Sequence, residues 1–292
     1  MKNYEKGFIL KSGSSDKAVL LVHGLTGGPA ELRWIAGKMK RDGGYDVFCP
    51  VLPGHCDTLK SLKKTTWKDW YNVVKEEALR LKQHYRHVYV GGLCIGGMLG
   101  LMVDIECPGI LSGVALWAPV LFLDGWNIPK AVVILPAALK TPIRYVWSFK
   151  ETYPYGVKND FVRKMMQKMM EKNSMAYEII PGVTIYELLK LSKILRKNLA
   201  RVNVPTILIH SKIDDFTSIK SSEVIYNGIS SSIKKLVVLH NSYHMITIDN
   251  EKATVLQETI DFFESIERDS ERSSFEMVIH QQTYQKPASA GE

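Results

Sequence analysis

The chain has 292 residues, enough to bury one large core, and its 46% hydrophobic and 23% charged residues are ordinary globular proportions. Lys and Arg exceed Asp and Glu to give a net charge of +8, but no nucleic-acid-reading motif accompanies the excess, which argues against a nucleic-acid partner. The longest apolar run, Ala131–Leu139, contains Pro136 and falls far short of a bilayer span, and Met1–Lys6 leads straight into polar sequence without a secretory pattern.

Ala18–Val22 reads as a buried strand that ends in His23-Gly24-Leu25-Thr26-Gly27-Gly28. Such a loop can offer a backbone N–H to an oxyanion, and the amide of Leu25 is the candidate donor. His23 is read as holding this loop, and His55, in Pro53-Gly54-His55, as a structural loop residue. Tyr45–Pro50 reads as a further strand. Trp67, Trp70, Tyr71, Val74, Ala78 and Leu81 recur at steps of three and four, which predicts an amphipathic helix opening near Thr65 or Thr66.

His87–Val90 reads as a short buried strand and Ile95–Ile105 as a helix packed on a sheet, with Gly92-Leu93-Cys94-Ile95-Gly96-Gly97 between them. A strand turning sharply into a helix through G-x-[nucleophile]-x-G is a nucleophile elbow, and small residues are needed around its strained backbone. The helix N-terminus beneath Cys94 favours a thiolate there, and the amide of Ile95 is the second candidate oxyanion donor. Gly113–Trp117 reads as another strand.

From Leu121 to Asn203 the alternation of strands and helices is interrupted by helical patterns. Phe161, Val162, Met165, Met166, Met169 and Met170 form one, and Leu188, Leu189, Leu191, Ile194 and Leu195 another. This stretch holds 14 Lys and Arg against 6 Asp and Glu, so its net +8 equals that of the whole chain. A basic, Met-rich cap over Cys94, with an adaptable apolar channel and a cationic rim, is one reading; a solvated helical face over an ordinary core is the other.

Val204–His210 is again a buried strand, followed by Ser211-Lys212-Ile213-Asp214-Asp215, and Leu236–Leu239 leads into His240-Asn241-Ser242-Tyr243-His244. Asp214 is preferred to Asp215 as the catalytic acid because it lies closer to the strand end. His244 is preferred to His240 and His210 because it sits in a loop after a strand and before a helix. Residues 251–266 suit a closing helix, and 267–292 reads as a mobile polar tail. The overall alternation predicts an α/β fold with a mostly parallel sheet.

Nucleophile, acid and histidine occur in the chain order of the α/β-hydrolases. With HGLTGGPAE, GLCIGG, PTILIHSKIDD and NSYHMITIDNEK, the sequence resembles the monoacylglycerol-lipase and carboxylesterase branch of that superfamily over roughly residues 16–266. The resemblance implies an α/β-hydrolase core in two parts, 1–120 and 204–266, with a helical cap inserted at 121–203. It maps the family's Ser, Asp and His onto Cys94, Asp214 and His244. The chain departs from that branch at the nucleophile, where a Cys resembles the polyester synthases and dienelactone hydrolases.

The expected chemistry is acyl hydrolysis of a hydrophobic ester or thioester through an acyl-Cys94 intermediate, with neither metal nor cofactor. Cys49, Cys56, Cys94 and Cys107 show neither a C-x-x-C pair nor zinc-ligand spacing, so reduced thiols in a cytoplasm are expected. A thiol acceptor tilts the donor toward CoA or carrier-protein thioesters, since one thioester then replaces another, and a basic cap would suit their phosphates or a peripheral contact with anionic membranes. Acyl transfer to an acceptor other than water, and a non-catalytic binding scaffold, are the alternatives.

Overall fold

A computed structural model describes residues 5–171 and 179–284. The described residues contain the strands β1 (Phe8–Leu10), β2 (Lys17–Val22), β3 (Asp46–Cys49), β4 (His87–Leu93), β5 (Gly113–Trp117), β6 (Ser148–Lys150), β7 (Ile179–Pro181), β8 (Thr206–Ser211) and β9 (Lys234–Leu239). Seven of them form one sheet in the order β1-β3-β2-β4-β5-β8-β9. Every pairing in it is parallel except β1 with β3, which is antiparallel.

The runs Ala18–Val22, Val88–Leu93 and Ile207–Ile209 are continuous in apolar character because helices cover both faces of the sheet, so no face alternates with solvent. The longer helices are α1 (Arg33–Gly43), α2 (Trp67–Lys82), α3 (Ile95–Glu106), α4 (Asp160–Glu171), α5 (Gly182–Asn198), α6 (Lys220–Gly228) and α7 (Lys252–Tyr284). At the start of α2 the Thr66 amide donates to Asp69 Oδ2 at 2.8 Å, a capping interaction that fixes the start where the sequence places it. α3 is buried along Ile95–Ile105, which explains a composition that is apolar but for Asp104 up to Ile105.

The chain passes from β2 outward to β3 and then returns to lay β4 on the other side of β2. A crevice opens where the strand order reverses, at the carboxyl ends of the strands. The loop after β2 and the turn after β4 both lie at that reversal.

Two expectations are corrected. The closing helix does not stop at 266 but runs to Tyr284, so 267–284 is helix rather than tail. The sequence allows the continuation: no Gly or Pro occurs between Lys252 and Lys286 to break the helix, and Glu267 accepts Lys17 Nζ at 2.9 Å and the Tyr89 hydroxyl at 3.1 Å. Residues 285–292, and the side chains of Met169 and Met170, lie outside the described residues.

The stretch 121–203 is not purely helical either, because β6 and β7 pair antiparallel within it. Its last helix, α5, sends Leu188, Leu191 and Leu195 into the main hydrophobic core, and Ser192 Oγ donates to the Leu121 carbonyl at 2.7 Å. Before α5 the stretch reaches that core at fewer points, among them Leu121, Leu139 and Ile180.

Candidate active site

Cys94 joins β4 to α3 with φ 57° and ψ −113°, a left-handed backbone that a side-chain-bearing residue adopts only when its surroundings enforce it. Two features enforce it here. The Cys94 amide donates to the Trp117 carbonyl at 2.8 Å, locking the turn to β5. A Cβ on Gly92 would lie 2.2 Å from Gly96 C, and one on Gly96 would lie 2.2 Å from the Val22 carbonyl oxygen, so the turn closes only with glycine at both positions.

His244 follows β9 and reaches the elbow across the sheet's end. Its Nδ1 donates to Asp214 Oδ2 at 2.9 Å, and its ring is near enough to the Cys94 sulfur for that group to favour charge on it. Burial opposes charge on this ring, but the Asp214 carboxylate and the Cys94 sulfur outweigh it and raise His244 well above the ordinary imidazole value.

Asp214, just past β8, is fully buried, which by itself would favour the neutral acid. His244, His210 and their hydrogen bonds override that cost and hold its carboxyl below the usual carboxylate range. Its Oδ1 accepts the amides of Phe216 and Thr217 at 2.8 and 2.9 Å. The two adjacent aspartates are bonded differently: Asp214 meets the imidazole ring, whereas Asp215 accepts the His244 backbone amide at 3.2 Å and the Gly156 amide at 3.0 Å. His210 is engaged with Ser222 and Thr217, and His240 is exposed, so neither approaches Cys94 as a base.

The loop after β2 is held from several sides. His23 Nε2 accepts the Leu52 amide at 3.1 Å, which leaves Nδ1 protonated toward the Gly24 carbonyl at 3.0 Å. His55 Nε2 donates to the Leu25 carbonyl at 2.8 Å. Both rings serve as struts, as their sequence context suggests. Among the described residues the Leu25 amide has no protein acceptor, and the Ile95 amide, at the first position of α3, has no intrahelical one.

Residues 13–251 match the family described as serine aminopeptidase, S33. The chain belongs to this α/β-hydrolase family. It is 31% identical to a thermostable monoacylglycerol lipase from Bacillus sp. (strain H-257), across 84% of this chain and 89% of that protein. It is 28% identical to a carboxylesterase from Bacillus subtilis (strain 168), across 90% and 97%. Among solved structures, one described under LipS and LipT, two metagenome-derived lipolytic enzymes, superposes with a TM-score of 0.75 at 26% identity, covering 89% of this chain and 98% of that one.

The hydrolase has a cavity of about 580 Å³ above Cys94. Leu93, Phe149, Met165, Met166, Ile180 and Met245 contribute apolar walls, four of the six from the stretch 121–203. Two carboxyls that the sequence reading did not single out also reach it, Glu31 buried and Glu151 half-buried. Burial pushes Glu31 up to about 7, against the hydrogen bond from Gly24 and the charge of His244. Burial likewise pushes Glu151 up to about 7, against the Thr26 hydroxyl and His244. Glu31 carries a faint sequence signal, an acid in a helix-opening turn beside the glycine loop; Glu151 carries none, because its partner is 125 residues away. Among the described residues no group of three or more His, Cys, Asp or Glu could hold a metal ion, and no helix is long and apolar enough to cross a membrane.

Proposed function

We propose that the protein hydrolyses hydrophobic acyl esters through a Cys94–His244–Asp214 triad and an acyl-Cys94 intermediate. The observation that carries this reading is the hydrogen bond from the His244 ring to Asp214, with that ring and Cys94 on its strained elbow lining one cavity. Kinship with a lipase and a carboxylesterase supports the ester-cleaving class.

His244 holds the proton of the thiol as the Cys94 sulfur bonds to the acyl carbon. The amides of Leu25 and Ile95 receive the oxyanion. As the carbonyl re-forms, the bond to the leaving group breaks and His244 returns the proton to it. Water, deprotonated by His244, then attacks the thioester; the C–S bond breaks and the thiol is restored. Asp214 keeps the imidazole in the productive tautomer throughout.

The acyl chain occupies the apolar walls. Glu31, Glu151 and Asp215 line the same cavity with Lys252, so a neutral ester suits the interior better than a polyphosphate group, and a CoA or carrier thioester would have to keep its phosphates on the basic rim. That rim includes a run from Gly125 to Lys150 with no carboxylate, four cations and strongly exposed Val133 (79%) and Val146 (84%). Its charge and apolar side chains fit an anionic lipid surface, from which the substrate would be drawn.

Incubation with an acyl ester or thioester and intact-mass analysis tests the reading. An acyl adduct on Cys94 that decays in buffer, with activity lost in Cys94→Ala, is the expected result. Full activity in Cys94→Ala would reject the nucleophile, and an adduct that persists until an alcohol or thiol is added would identify an acyltransferase.

A further inference from the structure

The loop that bears the Leu25 amide is tied by five hydrogen bonds. The Gly24 amide donates to Glu31 Oε1 at 2.5 Å, the Gly24 and Leu25 carbonyls accept His23 and His55, and the Glu31 amide donates to the Gly28 carbonyl at 3.1 Å. These four ties come from the core. The fifth does not: the Thr26 hydroxyl donates to Glu151 Oε1 at 2.9 Å, and Glu151 lies just past β6 in the inserted stretch. Thr26 is followed by Gly27 and Gly28, which resist bending least, so this side-chain contact restrains the outer limb of the loop.

The same inserted segment is fastened to the opposite wall of the site. The Met245 amide donates to the Gly156 carbonyl at 2.8 Å, the residue next to His244. The Gly156 amide donates to Asp215, and the amides of Lys158 and Asn159 both donate to Asp249 at 2.8 Å. Asp249 in turn accepts the Tyr243 amide at 2.8 Å. Residues 151–159 thus connect the oxyanion loop to the histidine loop without passing through the sheet.

We infer that Glu151 is a positioning residue that, through Thr26, sets the Leu25 amide relative to His244, so that the oxyanion hole is completed by the inserted segment. The inference rests on the Cys94 reading above. It predicts a defect in the acyl-transfer step rather than in substrate affinity, because Glu151 acts on the loop and not on the acyl chain.

The test uses a short-chain p-nitrophenyl ester with Glu151→Ala, Thr26→Val, the double variant and Glu151→Gln. Each single truncation should lower kcat about tenfold with KM within about twofold, and the double variant should be no worse than either. Gln keeps an acceptor for Thr26 and should stay within about threefold of the parent, which separates positioning from folding. Alkylation of Cys94 by iodoacetamide, followed by peptide mass, forms no oxyanion and should proceed at the parental rate in every variant. Additive losses, a change confined to KM, or alkylation slowed in proportion to kcat would overturn the inference. Activity surviving complete alkylation of Cys94 would instead reject the nucleophile, and the Glu151–Thr26 cycle would still decide the anchor.

Discussion

The sheet-borne half of the site and the inserted stretch face the same cavity but are built in opposite ways. Cys94, Asp214 and His244 each sit just beyond a strand, are almost wholly buried, and hold their positions through short backbone hydrogen bonds. The stretch before α5 has little core of its own and exposes Val133, Ile134, Tyr145 and Val146. On the proposed reading the first half fixes atoms for chemistry, and the second shapes the cavity and adds the Thr26–Glu151 tie to a loop otherwise held by the core. Substitutions in the two halves should therefore fail in different ways.

The sharpest contrast lies between neighbours. Asp214→Asn leaves the shape intact but presents an amide to the imidazole and favours the wrong tautomer, so kcat/KM should fall by about 10³–10⁴. Asp215→Asn disturbs only backbone ties to His244 and Gly156 and should cost about tenfold. Equal losses in the two variants, measured with one ester, would erase the assignment of acid and brace.

This asymmetry also explains what could be read from the chain. β4, the elbow and α3 were legible because one short sequence must satisfy strand, strained turn and helix at once, and only Gly92 and Gly96 permit the closure. β5 was legible from a buried apolar run bounded by Gly113. α1 was missed although Ile35, Ala36 and Met39 repeat at helical steps, because its exposed Lys and Arg dilute the pattern. β1 was missed because three residues carry no period. The Thr26–Glu151 and Gly156–Asp215 contacts were invisible for another reason: each joins residues far apart in sequence whose types alone are unremarkable.

The inserted stretch should break without harming chemistry. Replacing Val133 and Ile134 by Asp should reduce co-sedimentation with phosphatidylglycerol vesicles about tenfold or more, while hydrolysis of a water-soluble ester stays within about twofold. Zwitterionic vesicles should bind the parent protein weakly. Equal binding to both vesicle types would show that the four cations of the run contribute nothing, and undiminished binding by the variant would place the contact elsewhere.

The smallest effect concerns stability and pH, and it joins the two halves. Glu31 from the core and Glu151 from the insertion both titrate near 7 in the folded protein, above the ordinary value of 4.5. A group whose folded pKa is raised binds more protons folded than unfolded, so its stabilising contribution is complete below about 4.5 and is lost as the pH climbs through about 7. His244 acts in the same direction, its contribution complete below the ordinary imidazole value and lost as the pH climbs to its raised one, and Asp214 acts oppositely but only in strong acid. Buried His23 and His55 act the other way, their lowered values adding stability as the pH climbs toward the ordinary imidazole value, so the readout is the difference between variant and parent. Glu151→Gln, which cannot ionise yet can still accept from Thr26, should gain about 2–4 °C in thermal midpoint relative to the parent protein between pH 5 and pH 8. A difference that stays constant across this interval would mean that Glu151 ionises as it does in water and that the cavity wall is wetter than its burial implies.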